Sequence, residues 1–157
     1  MNIEDTNKIS NLDILDTKCN FKILELEGIS LDDDWSKLSK LKNLETLILK
    51  DSYIDFKKFY NAIFSLKKLN KLRLNHYCYF NKLKNDKFEK DSKLSSLKEF
   101  CLEFPNPDEP DFDINTFWQK SYENKNNSIT DVPNSHTVFP NLEIIKLINY
   151  ETYKQRI

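Results

Sequence analysis

One spacing of apolar residues recurs along the chain and limits the folds that it can adopt. An apolar residue is followed three and five positions later by two more, in five segments that begin at residues 21, 44, 69, 97 and 142. Two apolar residues separated by one other residue are the inward positions of a short strand, and the preceding apolar residue closes the turn into it. The anchors of the five copies are Phe21, Leu24 and Leu26; Leu44, Leu47 and Leu49; Leu69, Leu72 and Leu74; Leu97, Phe100 and Leu102; and Leu142, Ile145 and Leu147.

The repeated segments match a known repeat in spacing and in lead-in. The first four copies follow one another within the roughly 20 to 29 residues of a leucine-rich repeat, and the last interval contains an insertion. Similar tetrapeptides, LKNL, LKKL, LSSL and FPNL, precede four of the copies. The chain therefore resembles a leucine-rich-repeat protein over about residues 21–152. This resemblance implies an α/β fold, a short solenoid with a parallel sheet on its concave face and helices or irregular segments on its convex face.

The resemblance also implies a domain organisation. Residues 1–20 would form an N-terminal cap and residues 21–157 the repeat domain, with an insertion at 105–139. The family pattern has Asn or Cys at the ninth residue of a copy, but here other residue types occupy that position. We therefore expect irregular repeats whose turns satisfy their backbone groups in another way. The five residues at this position are Ile29, Ser52, Tyr77, Pro105 and Tyr150.

The first two connections between the repeated strands have helical patterns. In DDDWSKLSKLKN three aspartates precede an apolar face, and in DFKKFYNAIFSLKKLN the predicted N-cap is Asp55. The aspartates at 32–34 could also suggest a metal site, but no second carboxylate cluster or histidine pair completes one. We interpret them as helix caps that interact favourably with the helix dipole, and we expect no metal.

The insertion interrupts the repeat pattern with turn-forming residues and one apolar island. The island FDINTFWQKSY, residues 112–122, contains Trp118 and other large apolar side chains, whereas the flanking stretches are rich in Pro, Asn and Ser. Either the island packs on the scaffold or it belongs to a partner-binding surface. Because few residues follow the last anchor, we hypothesise that the island covers the last strand, or that two chains form a homodimer through this C-terminal strand.

The composition argues against several classes of protein. A single glycine, Gly28, is too few for the glycine-rich loops that hold phosphates or dinucleotides, so we expect no cofactor. The three cysteines are odd in number and far apart, which favours reduced thiols over a disulfide framework. The polar start of the chain lacks the apolar core of a signal peptide, and no apolar run approaches the roughly 18 residues of a membrane span. We therefore expect a cytoplasmic protein with no membrane association.

Combinations of catalytic residues are scarce in this sequence. His76 lies two residues from Cys78, and a thiol beside an imidazole is a common nucleophilic pair. The repeat places a turn at this point, however, and no base-orienting group or oxyanion site accompanies the pair. We expect no enzymatic activity, with a thiol enzyme that uses Cys78 or Cys101 as the alternative.

Charge is unevenly distributed although the formal net charge is only -1. Residues 67–98 contain ten basic and three acidic side chains, whereas residues 1–34 contain three basic and nine acidic ones. Residues 99–139 contain two basic and eight acidic ones. Compensation between neighbouring repeats would explain this pattern. The alternative is a function in polyanion or RNA binding through the basic segment 67–98, which contains Arg73.

Strand alternation predicts which side chains face a partner, because residues that flank the inward anchors point to the opposite face of the sheet. An interface center is typically apolar with an anchoring cation, and Ile48 beside Arg73 fits that description. One predicted column contains Glu25, Ile48, Arg73, Cys101 and Lys146. The other contains Ile23, Thr46, Lys71, Glu99 and Ile144.

These columns predict a non-catalytic protein-protein interaction module whose partner is another protein. Five short strands expose on the order of 300 Å², less than the roughly 800 Å² that a stable partner covers on each side. We therefore expect the adjacent insertion, through Trp118, to contribute to the interface. The sequence does not identify the partner.

Overall fold

The structure, a computed structural model, describes residues 6–75, 78–80, 94–104 and 139–149. The strands in these ranges are β1 Asn7–Ile9, β2 Ile23–Glu27, β3 Thr46–Lys50, β4 Tyr53–Ile54, β5 Lys71–Leu74, β6 Tyr79–Phe80, β7 Glu99–Phe104 and β8 Ile144–Asn149. Six of them form one sheet in the order β1-β2-β3-β5-β7-β8, and all neighbours in it are parallel. β4 and β6 form a separate parallel pair. The fold is therefore α/β with a parallel sheet, and the segment before the first copy contributes its edge strand β1.

Three helical segments lie between the described strands. A 3-10 helix at Leu12–Ile14 follows β1, a second 3-10 helix at Trp35–Lys40 connects β2 to β3, and α-helix α1 at Phe56–Phe64 precedes β5. Both predicted helical connections are thus helical. The connection at 35–40 adopts the tighter form, in which residues three apart lie above one another, and its buried residues have this spacing.

Aspartate side chains begin both helical connections, as predicted. The Asp34 side chain accepts a hydrogen bond at 3.2 Å from the backbone N–H two residues later, and Asp55 accepts one at 3.1 Å from the N–H three residues later. Asp33 instead accepts the Ser30 N–H at 2.7 Å and closes the turn before the helix. Among the described residues, the acidic, histidine and cysteine side chains form no cluster of three or more that could hold a metal ion.

The same backbone hydrogen bonds recur at each step between the repeated strands. In four copies the N–H of the first anchor donates to the carbonyl three residues earlier, at distances of 3.0 to 3.4 Å. The last of these carbonyls belongs to Phe139, which is buried in the core, so the final copy already begins at the end of the predicted insertion. The second residue of a copy accepts two N–H groups from the next copy. These acceptors are Lys22, Glu45, Asn70 and Lys98.

The repeat anchors form a core between the sheet and the helical segments. In the three middle copies every anchor is at most 3% exposed, whereas Phe21 and Leu142, the first anchors of the outer copies, are only partly buried. On the helical side Trp35 packs edge-on against Phe59, with ring centroids 5.9 Å apart. The predicted register is confirmed for these copies, since the anchors face the core and the alternate residues face away from it.

The turn after each of the first two repeated strands contains a residue with a left-handed backbone. Gly28 has φ 69° and Asp51, the eighth residue of the next copy, has φ 47°. Glycine adopts this conformation at no steric cost, and aspartate is one of the few other residues that visit it routinely. The only glycine of the chain therefore lies at a turn position that has this backbone in the first two copies.

A serine takes the place of the missing asparagine in the second copy. The fully buried Ser52 hydroxyl accepts the Ile29 N–H at 3.1 Å and donates to the Lys50 carbonyl at 2.7 Å. One side chain thus satisfies backbone groups of two neighbouring copies. This contact fulfils the expectation that the turns use another residue type.

The third copy differs from its predicted alignment by one residue. β4 and β6 pair Tyr53 with Tyr79, so the residue that corresponds to Ser52 is Cys78. The assignment of Tyr77 to the ninth position is therefore wrong, because the turn after β5 contains one additional residue. Cysteine is one of the two residue types that the family pattern has there.

Candidate protein interface on the sheet

The two predicted columns form registered rows across the sheet. We use the name outer sheet face for these rows together with Lys50 and Glu103, which follow by strand alternation. One row contains Ile23, Thr46, Lys71, Glu99 and Ile144. The other contains Glu25, Ile48, Arg73, Cys101 and Lys146, and the β1 residue Lys8 extends it.

Glu25 is a buried acid on the outer sheet face. Its side chain is 7% exposed, and its Oε1 lies 3.0 Å from Lys50 Nζ and 3.7 Å from Lys8 Nζ. A buried carboxylate is stable only when it is paired, and here two cations flank it. The three side chains connect β1, β2 and β3.

Glu99 has the corresponding role on the other half of the sheet. Lys146 Nζ donates to its Oε1 at 2.8 Å, and Lys71 Nζ lies 3.4 Å from its Oε2. The hydrogen bond from Lys146 lowers the pKa of Glu99, and the Glu99 carboxylate raises the pKa of Lys146. Glu99 and Lys146 are therefore both charged at neutral pH. Together with Lys71 they connect β5, β7 and β8.

The cation that the sequence placed at the interface center is paired within the molecule. Arg73 Nε donates to Glu103 Oε1 at 2.7 Å, and its terminal Nη2 contacts the same oxygen. Arg73 is therefore paired before any partner arrives, and its role as an anchoring cation stays a prediction. Sequence reasoning missed Glu103, although its position two residues after Cys101 places it on the same face.

Cys101 belongs to the outer sheet face but is only 3% exposed. Burial raises the pKa of its thiol, and the nearby Arg73 guanidinium partly opposes that shift. The charges of Glu103, Lys146 and Glu99 also act on this thiol. Cys101 therefore lies beneath the charged side chains and supports the surface without being available for contact.

An apolar area lies between the two groups of ion pairs. Ile23, Thr46 and Ile48 are partly buried on the neighbouring strands β2 and β3, and strand register places Ile23 beside Thr46. At the β8 end of the sheet, Ile144 is 43% exposed. The outer sheet face thus combines an apolar center with charged groups that already neutralise one another, as at the core and rim of an interface.

Three of the five described cations of the basic segment 67–98 have acidic partners, whereas Lys67 and Lys68 have no described acidic partner. Lys71 and Arg73 pair with acids of β7, and Lys98 Nζ lies 3.7 Å from Glu143. The partners belong to later strands, so neighbouring repeats compensate one another in this part of the chain. Five further lysines of the segment lie outside the described residues, namely Lys82, Lys84, Lys87, Lys90 and Lys93.

The thiols of the enzyme alternative have the wrong protonation state for a nucleophile. Burial raises the pKa of Cys78 to about 11, even though backbone groups of Ser52 and Asn75 form hydrogen bonds with it. A reactive cysteine needs a lowered pKa and access to solvent. The candidate base His76 lies outside the described residues.

Two further predictions also lie outside the described residues. They are the contribution of Trp118 to the interface and the covering of the last strand by the island 112–122. Within the described ranges β8 has β7 as its strand neighbour. Pairing of two chains through this strand stays a prediction.

Comparisons with known proteins provide no relative for this chain. No protein-family model matches it, and neither the curated proteins nor the solved structures gave a match. In the part of the chain that the structure describes, no helix has both the length and the apolar character needed to cross a bilayer. The function must therefore be inferred from the geometry of the outer sheet face.

Proposed function

We propose that this chain is a cytoplasmic leucine-rich-repeat solenoid that acts as a non-catalytic interaction module. It binds another protein on the outer sheet face. The observation that carries this proposal is the continuous register of β2, β3, β5 and β7, which aligns equivalent residues in rows with Ile48 near the middle. Stacked repeats present such rows as one extended binding surface.

The ion pairs of the outer sheet face support this role because they fix its side chains in advance. Glu25, Glu99 and Glu103 each hold at least one lysine or arginine of a neighbouring strand. A partner that docks on ordered side chains loses less conformational entropy than one that must immobilise them. The apolar contact at Ile48 would then supply most of the affinity, with the paired charges at its rim.

Affinity capture with a matched pair of variants tests the proposal. Ile48→Gln removes apolar area from the center of the outer sheet face, whereas Leu31→Gln makes the same type of change at an aliphatic side chain that is 40% exposed and lies outside the sheet. We expect Ile48→Gln to lose a specific captured protein that Leu31→Gln and the unmodified chain retain. Equal capture by both variants would place the interface elsewhere.

The two variants must first be shown to fold, and their melting temperatures provide this control. Arg73 is unsuitable for the test because reversal of its charge would also place two acids beside each other at Glu103.

The dependence of binding on salt concentration distinguishes a protein interface from a polyanion site. An interface with an apolar center should bind almost equally at low and moderate salt, while a polyanion site should weaken steeply.

A further inference from the structure

Two segments that cover the helical side of the sheet contain basic but no acidic residues. Residues 35–43 and 56–69 contain seven lysines and no aspartate or glutamate, although the whole chain is nearly neutral. These two segments contain the second 3-10 helix and α1, each with its following turn. The aspartates of these elements precede the two segments, so lysines without neighbouring acids are concentrated toward the ends of the segments.

The two covering segments are neighbours in space. Trp35 and Phe59 pack edge-on at their buried faces, and Lys68 Nζ donates to Asn43 Oδ1 at 2.7 Å across the ends of the segments. Lys67 Nζ also contacts the Phe64 carbonyl at the end of α1. The lysines at these ends consequently form one surface and not two separate charges.

Four of these lysines have no acidic partner in the described part of the chain. Lys37 pairs with Asp13 at 2.6 Å, Lys58 lies 3.9 Å from Asp55, and Lys57 also has an interaction partner, but no described carboxylate lies within ion-pair distance of the remaining four. We call these four exposed residues the lysine face: Lys40, Lys42, Lys67 and Lys68. On the outer sheet face, by contrast, all five cations have an acidic partner.

The residue types around the lysine face restrict its partner. The two segments contain no arginine, and Trp35, Phe59 and Tyr60 are buried and cannot stack on unpaired bases. The partly buried Phe64 packs against Tyr60, with ring centroids 5.8 Å apart. Their leucines and isoleucine are buried as well and cannot enter a bilayer. Lysine is also depleted at interfaces between proteins. What remains is attraction to closely spaced phosphates.

We propose that the lysine face binds the phosphate backbone of duplex nucleic acid, weakly and without regard to sequence. Four lysines that each neutralise one phosphate predict a slope of about -3.6 in a plot of log affinity against log salt. Such contacts give dissociation constants on the order of 10⁻⁴ to 10⁻⁶ M. The same four charges near an anionic bilayer would give only about 1 mM.

This surface is separate from the outer sheet face, so the proposal does not depend on the protein partner. It also differs from the basic segment 67–98, with which it shares only Lys67 and Lys68.

Two charge-matched triple variants test the proposal. The first replaces Lys42, Lys67 and Lys68 by Gln. The second replaces Lys18, Lys22 and Lys98 by Gln, which are exposed lysines outside both the lysine face and the outer sheet face.

Fluorescence anisotropy of a labelled 20-base-pair duplex measures the binding of the full chain. We expect the first triple variant to raise the dissociation constant at least tenfold and to make the salt slope shallower by about 2.7, because three phosphate contacts are lost. The second variant has the same net charge and should change the dissociation constant less than twofold. Equal weakening by both variants would overturn the proposal, since total charge alone would then explain binding.

A smaller variant and a vesicle titration complete the test. If the first triple variant does not fold, Lys42→Gln with Lys67→Gln keeps the Lys68–Asn43 hydrogen bond and should still weaken binding at least fivefold. Vesicles with 30% phosphatidylserine are titrated in parallel, and we expect weaker binding to them than to the duplex. Tighter binding to the vesicles, or no duplex binding by the unmodified chain below about 1 mM, would reject the proposal.

Discussion

Ionisable side chains on the outer sheet face are paired across neighbouring strands. Glu25 and Glu99 have at least two lysines each, and Arg73 has Glu103. Cys101 beneath them and Cys78 in the turn after β5 are thiols whose pKa is raised by burial. Pairing lowers the pKa of Glu99, so this carboxylate is ionised at neutral pH while the two thiols stay neutral.

Thiol labelling tests whether these two thiols are neutral in the native protein. With a pKa of about 11, Cys78 is ionised to only about one part in a thousand at pH 8, so its native reaction with N-ethylmaleimide should be at least about a hundredfold slower than in denaturant. Mass spectrometry of the labelled peptides gives both rates. Equal rates in native and denatured protein would show an accessible thiol and revive the enzyme alternative.

The pairing of Glu99 predicts a contribution to stability that depends on pH. Its pKa is lowered on folding, so the stabilisation is present above its usual value of 4.5 and is lost as the pH falls through the folded pKa. Glu99→Gln should therefore reduce the acid-induced decrease in the free energy of unfolding below about pH 4.5. The exposed Glu27→Gln provides the control, and identical acid profiles of the two variants would contradict the pairing.

Each repeated strand depends on its neighbours through anchors and turn contacts. The anchors pack into one core, while Ser52 connects the turns after β2 and β3 through the Ile29 N–H. These contacts hold the irregular copies in register.

Removal of the Ser52 hydroxyl should leave the Ile29 N–H without its buried acceptor. We expect Ser52→Ala to lower the free energy of unfolding by about 1 to 3 kcal/mol, the usual effect of an unsatisfied buried polar group. Urea unfolding measures this, with Ser95→Ala at an exposed serine as the control. If both variants are equally stable, Ser52 does not fulfil the role that we assign to it.

Removal of an anchor should have a larger effect. Leu72 is fully buried on β5, and Leu72→Ala should cost roughly 2 to 5 kcal/mol through lost contacts and a residual cavity. Leu31→Ala at a side chain that is 40% exposed should cost much less. A loss below about 0.5 kcal/mol for Leu72→Ala, the size of a neutral surface change, would disprove the strand register.

At the scale of the whole molecule, the sequence predicted the elements that follow from periodicity. The anchors specified the strands and their order because an inward position must be apolar, and the capping aspartates marked the helical connections. Periodicity could not show that Arg73 has a partner, since Glu103 comes from another copy thirty residues away. It also could not detect the additional residue before Cys78. The turn contains no apolar anchors whose spacing would have revealed an insertion.

The two sides of the described structure differ in the pairing of their cations. The outer sheet face pairs its cations with acids around an apolar center, while the lysine face on the helical side has four cations without a described acidic partner. Periodicity alone did not reveal this division, because the acids that compensate one strand belong to the next.

Site-specific photo-crosslinking tests the central claim, which is that a partner protein docks on the outer sheet face. A photoreactive amino acid replaces Thr46 on β3 in one variant and the exposed Asn61 on α1 in the other, and both are irradiated in native lysate. We expect a discrete heavier adduct from the Thr46 position and none of that mass from Asn61. An adduct of the same mass from Asn61 alone, or from both positions equally, would contradict binding on the sheet.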